Sequence, residues 1–482
     1  MIDRVLNIIV DLDGTLIYSD TLYESFLLLI KHNPAFIFLS LFWLLKGKAF
    51  FKAQISKRIN LNPVALPYNT QLIAKLKEFR RLGAHLYLVT AANEKIAHAI
   101  AQHLDLFDEV IASTETTNMN SKNKAVICNQ RFGEKQYLYA GNHSTDLNVW
   151  QHAAEAIIVS SNNQLINKAK KITSIRAVIA PPQPTLKTYL KQLRVHQYVK
   201  NGLLFIPLLL SIPVNNYLKA GLFTNILAFI CFSSLASATY IINDLMDLTA
   251  DRLHSSKCTR PLASAYISIP QAIVLTIILF VISIVITLFL PVRFSLTLFV
   301  YLIITLGYSF YFKRKTLLDV FVLAGLYMTR IFAGMMLIAN GFSQWLLMFS
   351  LFFFASLAFI KRYVELAKQK QKGSLTAHGR GYHINHLDLI RTYGIASAYV
   401  SGLIFALYIS SDKVKAFYSQ PNFLYAMIVL IIYWLSRVWL KAEDGKVHDD
   451  PIVFAIKDKV TWMMVAFFII IYTLASLPKG II

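Results

Sequence analysis

Between Asn243 and Pro261 the chain reads NDLMDLTADRLHSSKCTRP, directly after an apolar run long enough to cross a bilayer. Asn243, Asp247 and Asp251 recur every four residues, which lines them along one face of a helix. Carboxylates held that close repel one another unless a cation sits between them, and an all-oxygen ligand set favours Mg²⁺ over a softer metal. Magnesium keeps only one or two protein carboxylates and completes its shell with water and substrate phosphate oxygens. Lys257 and Arg260 follow, and cations of that kind suit phosphate as well. The cluster therefore reads as a diphosphate site, with Asp247 and Asp251 as catalytic acids and Asn243, Lys257 and Arg260 beside them. The plainer reading, a solvated loop that caps a membrane helix, would suit a lone pair of acids. It suits this gathering less well, because ionisable clusters at a membrane are seldom idle.

A second constellation lies near the start. LNIIVDLDGTLIYSD begins as a buried strand, Leu6 to Val10, and ends in a turn that presents Asp11 and Asp13 with Gly14 and Thr15 behind them. Two carboxylates two residues apart suit phosphoryl transfer, since the first can attack phosphorus while the second gives and takes protons. Further on, AHLYLVTAAN is a strand ending at Thr90, SKNKAV offers Lys122 and Lys124, and YLYAGNHSTDL ends a third strand near Asn142 and Asp146.

The elements that must position these groups divide the chain. Of its 482 residues 56% are hydrophobic and 15% charged, which is too apolar for an ordinary soluble enzyme. The long apolar runs fall after about residue 200, so residues 1–175 read as an α/β domain, 176–190 as a linker interrupted by Pro181, Pro182 and Pro184, and 191–482 as an all-α membrane domain. Segments near 202–217, 220–241, 269–290, 294–311, 317–338, 344–360, 390–411, 422–440 and 460–477 predict about nine spans, the first being marginal. The net charge of +22 reports topology and contact with anionic lipid, not nucleic acid. Alternate loops hold Arg194 and Lys200, then Arg252, Lys257 and Arg260, then Lys313 to Lys315, then Lys361, Arg362, Lys368, Lys370 and Lys372, while the opposite loops are nearly bare. That asymmetry puts the N-terminal domain and both constellations on the cytoplasmic side. The chain opens on a strand-forming run, not on the charged-then-apolar order of a leader, so no cleavable signal is expected. Cys128, Cys231 and Cys258 are scattered and form neither a disulfide framework nor a zinc site. The irregular spacing of His378, His383 and His386 fits a polar loop better than a metal site. Residues from about 20 to 75 form a helical insert that acts as a small cap. Its run AFIFLSLFWLL is too short to span a bilayer, and either packs in the cap core or dips into the membrane interface.

The order DLDGT, Thr90, Lys124 and GNHSTD resembles the haloacid dehalogenase (HAD) superfamily across most of residues 5–160. The resemblance implies a Rossmann-like sheet, Asp11 as a nucleophile forming an aspartyl-phosphate and Asp13 as acid/base. It gives Thr90 and Lys124 the phosphate, and it has Asp146 with Asp11 and Asp13 serving Mg²⁺. Asn142 departs from the pattern, because the family carries an acid at the start of that motif. Residues 191–477 resemble the UbiA superfamily of membrane transferases, with NDLMD as the first acidic motif. The second acidic motif is reduced to Glu365 amid Lys361, Arg362, Lys368 and Lys370, a loss of acids and gain of cations that suits additional phosphate groups. LRVHQYVKN with Arg194 and Lys200, the YSFYFKRK to MTRIFAG stretch with Tyr308, Lys313, Asp319 and Arg330, and KRYVEL with Lys361, Arg362 and Glu365 are similar to the decaprenyl-phosphate phosphoribosyltransferase branch. That resemblance implies 5-phosphoribosyl diphosphate (PRPP) as donor, a polyprenyl phosphate as acceptor, Mg²⁺ as cofactor and a bacterial inner-membrane location, with these residues other than Asp319 binding substrate. The alternative is a prenyl group moved from its diphosphate to an aromatic or quinone precursor, which would want the acid-rich second loop.

Overall fold

Six short runs rich in aliphatic and β-branched residues pair side by side in a computed structural model that describes residues 6–211, 218–338, 343–371, 381–412, 414, 418–447 and 451–477. They are β1 (Asn7–Val10), β2 (His85–Asn93), β3 (Glu109–Ser113), β4 (Tyr137–Gly141), β5 (Glu155–Val159) and β6 (Ser174–Ile179). All pair in parallel in the order β3-β2-β1-β4-β5-β6. Alternation sends Ile8 and Val10 of β1 to one face with Leu86, Leu88 and Ile157, and Ile9 to the other with Val89, Tyr139 and Ile158. A parallel sheet covered on both faces has this pattern, and its order reverses at β1. The ends of β1 and β4 are therefore neighbours, which brings Asp11 beside the turn that carries Asn142 and Asp146.

The insert is a set of three helices, Thr21–His32, Phe36–Leu45 and Lys48–Arg58, with a small core of Leu29, Trp43, Ile55 and Ile59. Asp20 caps the first helix by accepting from the N–H groups of Leu22 and Tyr23.

The chain divides into two units, residues up to Val195 with Tyr240–Thr276, and His196–Thr239 with Ile277 onward. The first unit corrects the expected linker of 176–190. Residues Ser174–Ile179 form the edge strand β6, and only the proline-containing stretch from 180 to 185 runs without regular structure before the helix Leu186–Gln192. SIRAVI buries only its last residue, so its apolar signal is weak, as befits an edge strand. The unit also takes in a segment from the membrane half, the end of the helix Leu218–Met246 and the short helix Leu248–Leu253.

The second unit is helical. Eight helices among the described residues are long and apolar enough to cross a membrane: Gly221–Met246, Ile269–Thr287, Val292–Phe310, Leu318–Met335, Gln344–Gln371, Ile384–Ile409, Pro421–Glu443 and Lys459–Ser476. The ninth expected span, 202–217, is a run of 3-10 turns at Val195–Phe205 and a short helix Ile206–Ser211 as far as it is described. Gly202 and Pro207 account for this, since one weakens a helix and the other removes a backbone donor. Tyr327, Phe354, Phe359, Leu435 and Trp439 form the main core. Val274, Ile277, Ile278 and Val281 point outward from their span, as lipid contact requires. Lys372 and His378 lie outside the described residues.

Candidate functional site

The N-terminal constellation closes around Asp11. The buried Nζ of Lys124, on the helix Ser121–Phe132, lies 2.6 Å from Asp11 Oδ1, which also accepts the Leu12 N–H at 2.9 Å. Burial raises the Asp11 carboxyl above its usual range and Asp146 adds to the rise, while Lys124 opposes it. Asp13 accepts from the Thr21 N–H at 2.7 Å and its hydroxyl at 3.2 Å. Burial, helped by Asp20 and Asp11, pushes Asp13 up to about 7, where a carboxyl can hold a proton near neutral pH. Thr90 is fully buried within β2, which runs on to Asn93 and does not end at Thr90 as expected, and its hydroxyl accepts the Ala92 N–H. Asp146 accepts from the N–H groups of Asn142 and His143 at 3.0 and 2.9 Å and from the Tyr139 hydroxyl at 3.1 Å. Asn142 itself turns to the Thr15 hydroxyl and packs on Gly14, whose φ of +73° and lack of a Cβ are both needed there. The cap contributes Lys52 to a cleft lined by Asp13, Asp20, Thr21 and Asn93. Burial lowers the Lys52 ammonium, and it donates to the Ala91 carbonyl. Asp11 and Asp146 are two hard-oxygen acids, which matches what magnesium takes from a protein.

The acidic helix end lies in the same unit. The Asp247 N–H bonds to the Asn243 carbonyl and the Asp251 N–H to the Asp247 carbonyl, at 2.9 and 2.8 Å, so the four-residue register runs through the break between the two helices. Asn243 and Asp247 are half-buried; Asp251 is buried. Arg260 donates to Asp251 at 2.5 Å, Lys257 lies 4.0 Å from it, and Lys31 of the cap lies 3.6 Å from Asp247. Asp247 and Asp251 are two carboxylates, the number magnesium commonly takes from a protein. Among the described residues no group of three or more His, Cys, Asp or Glu side chains stands ready for a metal, so water and phosphate oxygens would have to supply the rest.

Asp244 is the group that the four-residue spacing passes over. It is buried, and it accepts from Arg194 at 2.5 Å, Arg260 at 3.1 Å and Gln192 at 3.1 Å. Asp244 and Asp251 stand seven residues apart, nearly two helical turns, so they share a face on which Arg260 bridges them. That i, i+7 spacing was the signal that could have found it. Arg194, at a left-handed φ of 54°, also lies over the Tyr240 ring. Asp244→Asn is expected to lower stability by about 2 kcal/mol, the scale of a hydrogen bond between charged groups, read as an earlier thermal transition of the purified protein.

In the second unit the arginines are engaged by the fold. Arg362 is fully buried and donates to Asp319 at 2.5 Å, Glu365 at 2.6 Å and Tyr308 at 2.9 Å, while Tyr382 donates to the other Asp319 oxygen. Tyr308, Arg362 and Glu365 thus come together as expected residues, and Asp319 and Tyr382 complete their network. Arg330 donates to Asn201 at 2.9 Å, to Tyr301 at 3.2 Å and to the Leu326 carbonyl, with the rings of Phe232, Tyr301 and Tyr327 around it. Lys200 is buried with its ammonium 5.6 Å from the Tyr327 ring centre. Lys313, in the 3-10 turn Phe312–Arg314, and Lys361, within the helix Gln344–Gln371, are half-buried.

Compared with known proteins, residues 204–464 match the UbiA prenyltransferase family. The uncharacterized protein y4nM of Sinorhizobium fredii is 37% identical over 96% of this chain and 89% of its own length, so the likeness runs through both the sheet and the helical part. Nodulation protein NoeC of Azorhizobium caulinodans is 33% identical over 56% of this chain and 87% of its own. The decaprenyl-phosphate phosphoribosyltransferase of Mycolicibacterium smegmatis is 27% identical over 58% of this chain and 89% of its own. The family match takes in more than half of the 482 residues and seven of the eight spans whole, and this multi-pass membrane chain accordingly belongs to the UbiA prenyltransferase family.

Proposed function

We propose that the helical part moves phosphoribose from PRPP to a polyprenyl phosphate with release of diphosphate, and that the N-terminal part is a HAD-like phosphatase that removes the 5-phosphate of the product. The observation that carries the first step is the 27% identity, over 89% of its length, to a protein named decaprenyl-phosphate phosphoribosyltransferase. In this reading Asn243, Asp247 and Asp251 would hold Mg²⁺, which when bound would supply positive charge to the donor's diphosphate. Lys257 and Arg260 take up the charge that grows as the diphosphate leaves. The bond from the anomeric carbon to the diphosphate oxygen breaks, and a bond to an acceptor phosphate oxygen forms. That oxygen is already anionic, so it attacks without a strong general base. The donors of Arg330 and Arg362 serve neighbouring side chains, and their part is to position. Lys200, Lys313 and Lys361 are the cations this reading gives to the remaining phosphates.

In the phosphatase step Asp11 attacks phosphorus to give an aspartyl-phosphate, and Asp13 gives its proton to the departing ribose oxygen and later takes one from water. Lys124 and Thr90 hold the phosphoryl oxygens. Asp11, Asp13 and Asp146 would hold Mg²⁺, whose positive charge would offset that of the phosphate. The excess of lysine and arginine in alternate loops supports a cytoplasmic position for both sites, in this reading at a bacterial inner membrane.

The test is transfer itself. Purified protein, labelled PRPP, Mg²⁺ and polyprenyl phosphates should move label into the organic phase, and Asp247→Asn should slow that transfer by about 100-fold. A preparation that ignores PRPP and consumes prenyl diphosphates with an aromatic acceptor would replace this reading by ordinary prenyl transfer, the reaction in the family's name.

A further inference from the structure

We infer that the cap helix Phe36–Leu45 lies in the membrane–water interface, with anionic lipid as its partner. Its sequence, FIFLSLFWLL, is apolar at every position but Ser40, whose hydroxyl is satisfied by the Ile37 carbonyl. Ten residues reach about 15 Å, half a hydrocarbon core, so the helix cannot cross. The cap buries only Ser40 and Trp43. Phe38, Phe42 and Leu45 are 72%, 65% and 85% exposed, and Ile37, Leu41 and Leu44 are exposed as well. A helix that points its only polar side chain inward and Phe38 and Phe42 outward is built for an apolar surrounding.

Two observations name that surrounding as lipid. The first is attachment, since the cap belongs to the unit that contains the end of a membrane span. Lys31 lies 3.6 Å from Asp247, the residue after the helix Leu218–Met246, and Phe36 follows Lys31 by five residues. Arg252, just beyond, is buried with Glu24 of the cap at 2.7 Å and donates to the Ala65 carbonyl at 3.3 Å. These contacts hold the cap at the mouth of a span. The second is charge. From Ser25 to Lys77 the sequence has no acidic residue, while Lys31, Lys46, Lys48, Lys57 and Arg58 flank the apolar helix. Basic residues around an apolar face match an anionic headgroup layer. The next helix carries Lys52 into the cleft beside Asp13, so a seated cap would hold that cleft at headgroup level; this consequence rests on the phosphatase reading, whereas the membrane contact does not.

The experiment places the full chain in nanodiscs containing phosphatidylglycerol, in a Cys258→Ser background with Cys128 and Cys231 left buried. Single cysteines at Phe38, Phe42 or Leu45 carry a nitroxide whose collisions with oxygen and with a water-soluble nickel chelate are compared. Oxygen collisions should exceed nickel collisions several-fold at these sites and fall below them at Leu82, an exposed leucine elsewhere in the same unit. Nickel-dominated collisions at all of these cap sites would overturn the inference. So would shielding from both reagents with dipolar broadening between labels, which would make a second copy of the chain the partner.

Discussion

Asp11→Asn is expected to cut phosphate release from the 5-phosphorylated lipid by at least about 10⁴-fold, because it removes the nucleophile while leaving every other group in place. The substitution is close in shape, and the fold should tolerate it. Burial and the neighbouring Asp146 already hold the Asp11 carboxyl above its usual range, so a neutral amide relieves a repulsion as it gives up the 2.6 Å contact with Lys124. Lys124 keeps Asp146 nearby to balance its charge. Transfer of phosphoribose to the lipid should continue at the parental rate, so the phosphorylated product accumulates. The assay follows one labelled substrate through both steps, with label on the 5-phosphate. Label that stays in the lipid supports the assignment. Label released as fast as in the parent would show that the sheet domain is not the phosphatase, whatever the transferase does.

What could be read from sequence depended on whether a feature is local. Three strands, β1, β2 and β4, were legible because each is a short apolar run that leads to a candidate site residue, as at Val10 before Asp11 and Gly141 before Asn142, whereas β3 and β5 carry no such marker and the sheet itself was expected only from the HAD resemblance. Eight spans were legible because length and hydropathy suffice. β6 escaped because SIRAVI is a half-exposed edge strand next to prolines, and only its pairing with β5 makes it a strand. The same limit applied to charge. A four-residue spacing picks out Asn243, Asp247 and Asp251, yet it passes over Asp244, as buried as Asp251, whose partners Arg194 and Gln192 lie some fifty residues upstream. Tyr382 was hidden in a polar loop for the same reason, since its role comes from Asp319, 63 residues away.

That long-range pairing makes Arg362 the second place where a large effect is expected. Its guanidinium is 1% exposed, and the Asp319 carboxylate it faces is fully buried, so neither charge can turn to water when the other is removed. Arg362→Met should destabilise the protein by about 3–5 kcal/mol, the cost of leaving one buried charge alone. Adding Asp319→Asn should recover most of that loss, because an amide can still accept from Tyr382 and the carboxylate then left without Arg362, that of Glu365, is partly exposed to solvent. Thermal melting of the parent, the single variant and the double variant in the same detergent measures the cycle. The double variant also separates two roles for Arg362. If the arginine positions Glu365 and Tyr308 and nothing more, the refolded double variant should keep its KM for PRPP and lose kcat modestly. If it holds a donor phosphate, KM should rise steeply in a protein whose stability has been restored, and the positioning role argued above would be wrong.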